Sequence, residues 1–140
     1  SQQIDPPQRT AMTARAKAEY SGVLGNLTPG GGATAALREL LGVCRDRGIP
    51  VRLVLMPEGA EFRSWYPPAS LARLHAFLAG VSTEFGVPLV DAQAWLPDGA
   101  FYDGHHMFAA GAEAFSDRLA RDVIAPFFRS RSGGPARGAD

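Results

Sequence analysis

The chain has 140 residues, enough for one domain that buries roughly two-thirds of the surface its unfolded form would expose. Fourteen Lys and Arg balance fourteen Asp and Glu, so no net field favours nucleic acid or an anionic membrane surface. No run approaches the roughly 18 apolar residues of a membrane span, and residues 1–8 lack the charged-then-apolar pattern of a secretion signal, so the chain reads as soluble, its compartment open.

Residues 1–8 are polar with a Pro6-Pro7 pair and read as an extended arm. A single domain is expected over residues 9–129, followed by a disordered tail over residues 130–140. Residues 9–24 favour helix, but Met12, Ala16, Tyr20 and Leu24 make only a thin apolar stripe. GNLTPGGG, residues 25–32, lacks the Lys-Ser/Thr of a phosphate-binding loop and follows no strand, so it reads as a linker. No cofactor is called for.

Leu37, Leu40, Leu41 and Cys44 then recur at helical spacing over residues 33–47, and Gly48 ends the helix. Cys44 lies on the apolar stripe without a basic cluster to activate it, and reads as a buried inert thiol. Val51-Arg52-Leu53-Val54-Leu55-Met56 is an apolar run closed by Pro57. It fits a buried strand of a parallel sheet. The loop that follows, residues 58–68, is rich in charge and aromatics and leaves the carboxyl end of that strand, where α/β proteins bind ligands. Glu58, Arg63, Ser64, Trp65 and Tyr66 are therefore candidate substrate-binding residues. Equally, the aromatics of this loop could simply cover the end of the sheet.

A second amphipathic helix covers residues 70–85, with His75 beside its apolar stripe as a structural histidine and Gly86 closing it. GVPLVDA at residues 86–92 echoes GIPVRLVL at residues 48–55. Two helix–strand units imply parallel strands joined by right-handed crossovers. A last helix is expected over residues 107–128, on the stripe Phe108, Ala112, Phe115, Leu119 and Val123.

Between the second strand and the last helix stands Phe101-Tyr102-Asp103-Gly104-His105-His106-Met107. A carboxylate three residues before an imidazole can hold the ring in one tautomer, so that it takes a proton from a nucleophile and returns it to a leaving group. Two other readings stay open. Asp103, His105 and His106 with Asp91 or Asp98 could hold a metal, or the pair could cap the last helix of a non-catalytic domain that binds a carbohydrate or a protein.

Residues 35–123 resemble the C-terminal portion of an SGNH (GDSL-type) hydrolase. The closing block of that family is D-x-x-H, a hydrophobic residue, and a glycine five residues after the histidine. Asp103, His106, Met107 and Gly111 stand in those places. The resemblance implies a flavodoxin-like three-layer α/β/α fold with parallel strands, lacking the strand that carries the nucleophile. It implies an acyl-ester hydrolase or O-acyltransferase acting on a small-molecule or carbohydrate ester, with His106 as general base and Asp103 as its orienting acid. Gly-Asp-Ser and the oxyanion-hole blocks of the family are absent, so the nucleophile is expected outside this chain. Ser64 is the best placed serine within it. Few strands leave an open sheet edge, through which a homodimer is expected.

Overall fold

The computed structural model describes residues 5–132. Helix α1 runs Pro6–Gly25 and α2 Gly31–Asp46; strand β1 is Leu53–Leu55; the short α3 is Ala60–Arg63; α4 is Pro68–Phe85; strand β2 is Leu89–Asp91. A single 3-10 turn over Asp98–Ala100 precedes α5 (Ala109–Leu119), which continues through a π-helical segment (Ala120–Ile124) into α6 (Ala125–Ser132).

Several elements differ from the sequence-based expectation for identifiable reasons. Pro6 and Pro7 open α1 instead of extending an arm, because the first helical turn needs no N–H from its residues and the fixed proline φ already suits it. The remainder of that arm, residues 1–4, lies outside the described residues. Helix α6 reaches Ser132, so residues 130–132 of the expected tail are helical; residues 133–140 lie outside the description.

The three-layer α/β/α expectation is overturned. Among the described residues the strands are β1 and β2, three residues each, paired in parallel with Leu53 opposite Leu89 and Leu55 opposite Asp91. The chain is otherwise mostly helical. Prolines limit the ladder. The Leu53 N–H donates to Pro88 O (2.9 Å) and the Ala92 N–H to Leu55 O (3.0 Å). Pro88 below and Pro57 above have no N–H with which to continue it. Two strands about 4.8 Å apart are too narrow to separate two layers of helices, so the apolar run over residues 51–56 is only half-buried, and Met56 is exposed.

Parallel pairing of β1 and β2 across α3 and α4 does match expectation. Helix α4 buries Val81 and packs on α2, whose Leu41 is buried, and Gly86 closes α4 in the left-handed conformation at φ 64°. The core that positions the site joins Ala92, Leu96 and Phe101 to Phe115 of α5, with Val54 of β1 and Leu119 packed against it. Cys44 is half-buried rather than buried.

The π-helical segment has a cause in the spacing of the apolar side chains. Phe115, Leu119, Val123 and Phe127 follow one another four apart, and each step of four precesses by about 40° on a 3.6-residue helix. A wider turn over Ala120–Ile124 absorbs that drift, so Val123 is buried and Phe127 half-buried. Phe127 lies under the Arg52 guanidinium, 5.2 Å from ring centroid to Cζ. Among the described residues no helix is long and apolar enough to cross a membrane.

Candidate active site

The segment between β2 and α5 is pinned at both ends before it forms the site. Phe101, fully buried, pairs with Met107 as an isolated antiparallel bridge, and the Tyr102 N–H donates to His106 O (3.0 Å). The Phe108 N–H donates to Ala100 O (2.9 Å), locking the entry to α5 onto the 3-10 turn. Residues 102–106 are thus a closed turn. Gly104 makes it possible: its φ of 100° suits glycine, and an added Cβ would stand 3.0 Å from Phe62 Cβ. The Gly59 N–H donates to Gly104 O (2.7 Å), tying the turn to the chain leaving β1. The Asp98 carboxylate accepts from the Ala60 N–H at the start of α3.

Inside this turn Asp103 is 7% exposed, and each carboxylate oxygen has work. Oδ1 accepts the backbone N–H groups of His105 (3.2 Å) and His106 (2.9 Å), and Oδ2 lies 2.8 Å from His106 Nδ1. Burial pushes the Asp103 carboxyl up, but the hydrogen bonds from the His106 ring and from the two N–H groups, with the charge of His105, outweigh it. The carboxyl is held below its ordinary range. An ionised Asp103 takes the proton-bearing Nδ1 of His106, which leaves Nε2 as the basic nitrogen. The His106 side chain is 53% exposed, with Tyr102 stacked on it at 5.4 Å between centroids.

His105 takes a different place. Its ring is wedged between Tyr20 of α1 (4.6 Å) and Phe62 of α3 (4.7 Å), 3.9 Å from the ring of His106. Burial pushes its pKa down, more than Asp103 and Glu19 raise it. A cleft of about 260 Å³ opens beside both histidines, walled by Met12, Arg15, Glu19 and Tyr20 of α1 and by Tyr102. The sequence carried no signal for that wall, because its last α1 residue, Tyr20, stands 42 positions before Phe62 and 82 before Tyr102, and the apolar stripe of α1 is thin.

The structure brings Asp103 and His106 together and turns the five loop candidates elsewhere. The Tyr66 hydroxyl donates to Glu58 Oε1 (2.7 Å), Gln93 Nε2 donates to Glu58 Oε2 (2.9 Å), and Gln93 Oε1 meets His75 Nε2 (3.1 Å). The Arg63 guanidinium binds the carbonyls of Glu58 and of Gln93. Ser64 Oγ donates to Glu61 O (2.6 Å) at the end of α3, and Trp65 lies against Phe62 at 4.9 Å. No hydrogen bond or ring contact joins these five to Asp103 or His106 among the described residues. Gln93, buried and central to this network, carried no motif to mark it in the sequence.

Tyr66→Phe tests whether that network is structural. Burial raises the Glu58 pKa, and the Tyr66 and Gln93 bonds only partly oppose it. With a folded pKa above the unfolded value, Glu58 contributes stability below the unfolded value that is lost as pH rises through the folded one. Removing the Tyr66 bond widens that loss. Urea unfolding should show Tyr66→Phe close to the parent at pH 4 and about 1–2 kcal/mol less stable at pH 7.

Comparison with family models, with curated proteins and with solved structures finds no match to this chain.

Proposed function

We propose that Asp103 and His106 are the acid–base half of an acyl-ester hydrolase or O-acyltransferase site, as the resemblance of the Asp103–Gly111 block to SGNH hydrolases implies. One observation carries the reading: His106 Nδ1 sits 2.8 Å from a buried, fully hydrogen-bonded carboxylate while half of its ring stays open to solvent. A histidine that merely capped a helix would need neither the fixed tautomer nor the open face. In use, Nε2 would accept the proton of an attacking hydroxyl, Asp103 would stabilise the imidazolium, and Nε2 would return the proton to the leaving oxygen.

Among the described residues, those lining the cleft beside His106 include no serine, threonine or cysteine. Ser64 is committed to a helix carbonyl. The nucleophile is then water or a group brought by another segment or chain.

Incubated with p-nitrophenyl acetate, the chain should show only slow hydrolysis, with water as the attacking group. His106→Ala should remove that turnover, a loss of about 10²-fold or more where the imidazole acts as general base. Turnover equal in the parent and in His106→Ala would sink the reading. Substantial turnover abolished by Ser64→Ala would relocate the nucleophile to α3.

A further inference from the structure

We infer that Asp103, His105 and His106 form a binding site for a divalent transition ion of the zinc class. One donor atom from each residue lies within 4.8 Å of the other two. Asp103 Oδ1 and His105 Nδ1 are 3.4 Å apart, long for a hydrogen bond but close to the separation of two donors each about 2.0–2.1 Å from one tetrahedral ion.

The second observation is His105 itself. Both of its ring nitrogens are buried and lack a hydrogen-bond partner. A desolvated, unpaired polar atom is costly, and the edge-on ring of Tyr20 and the tilted ring of Phe62 pack against this imidazole. An ion within reach of Nδ1 gives that nitrogen the partner it lacks. Neighbouring histidines ordinarily diverge; here the positive φ of Gly104 folds the turn so that both present Nδ1 toward the same carboxylate.

The donor set chooses the ion. Two imidazoles and one carboxylate suit zinc and its neighbours rather than magnesium or calcium, which take oxygen donors. Three protein donors leave a fourth position to fill. Glu19 of α1 lines the same cleft, and its charge acts on His105. An ion bound through His106 Nδ1 takes the place of the proton held there, which passes to solvent, so the ion-bound and acid–base forms exclude one another. That last consequence rests on the acid–base reading; the binding of the ion does not.

The test uses the tag-free chain stripped with EDTA, titrated with Zn²⁺ by calorimetry and with Co²⁺ by visible absorption. One equivalent should bind, and the Co²⁺ spectrum should show intense tetrahedral bands. His105→Phe keeps a ring between Tyr20 and Phe62 and removes the donor; it should weaken binding at least tenfold while the metal-free unfolding midpoint stays level or rises. His105→Gln should show the same weakening, covering the case in which phenylalanine disturbs the turn. No binding by the parent chain, or equal affinity in both His105 variants, overturns the site. Ester hydrolysis by the metal-free chain is read separately. Its absence counts against the acid–base reading alone, whereas its inhibition by Zn²⁺ in the parent but not in His105→Phe supports both.

Discussion

Asp103→Ala is expected to lower stability by about 2–4 kcal/mol and to abolish any His106-dependent hydrolysis. The stability loss follows from leaving two backbone N–H groups in the turn without their acceptor, each unmade bond costing about 1–3 kcal/mol where water cannot replace it. Those donors are the His105 and His106 N–H groups on Oδ1. The catalytic loss follows from the third bond, because His106 without a carboxylate at Nδ1 is no longer held in one tautomer.

Asp103→Asn separates the two effects. The amide oxygen can still accept the backbone N–H groups, but its NH₂ faces Nδ1 and selects the wrong tautomer. Most of the stability should survive and most of the activity should not. The pH dependence has a definite sign. The folded pKa of Asp103 is lowered, so its contribution is complete above the unfolded value and is lost as pH falls through the folded one. The stability gap between the parent and Asp103→Ala should therefore be constant above about pH 4 and narrow as pH falls below it.

Gly111→Ala is the second large effect. Gly111 is buried in the first turn of α5, and an added Cβ would stand 2.6 Å from Ala100 O and 3.0 Å from Ala100 Cβ. Real Cβ atoms do not approach a carbonyl that closely, so α5 or the 3-10 turn must move. The obstructing oxygen also accepts the Phe108 N–H, so it cannot move without releasing the end of the site loop. An overpacking cost of about 2–3 kcal/mol is expected, or roughly 5–10 °C in the melting midpoint of a chain this size. Alanine favours helix over glycine by about 1 kcal/mol, so a measured gain in stability would show that the close approach is not as described. Amide shifts in residues 98–108 should report the displacement.

That glycine also shows how far the site was legible from sequence. Asp103 and His106 stand out by their spacing and Gly111 through the resemblance to the SGNH closing block, and each does a local task. The carboxylate closes a turn on its own next residues, the ring reaches back three positions, and the glycine lets a helix start against a carbonyl. Residues whose task depends on a distant partner left no such trace. Tyr20 and Glu19 reach the site only because α1 lies across it, and Gln93 matters only because Glu58 and His75 converge on it.

The loop at residues 58–68 shows the same limit from the other side. Its charges and aromatics suggested a pocket wall, yet Arg63 is spent on the carbonyls of Glu58 and Gln93 and Tyr66 on the Glu58 carboxylate. Binding and satisfaction draw on the same residue types. For the fold, helices and strands were readable in order because each carries its own periodicity, whereas sheet width depends on how many strands find partners. The flavodoxin-like expectation came from extending two strands by resemblance, and the two-stranded sheet corrects it.

The π-helical segment gives the end of the molecule one place where the chain can lose a residue without changing the face that α6 presents. An α-helix advances about 100° per residue, and the wide turn over Ala120–Ile124 behaves as if one residue had been inserted into a regular helix. Deleting Ala120, an exposed alanine with no side-chain role, would remove that extra residue and let the helix run as a regular α-helix, with the apolar positions on either side of it kept on one face. Phe127 would then stay beneath Arg52. A single-codon deletion, which elsewhere in α5 or α6 would turn everything after it by about 100°, would be absorbed at this surface position.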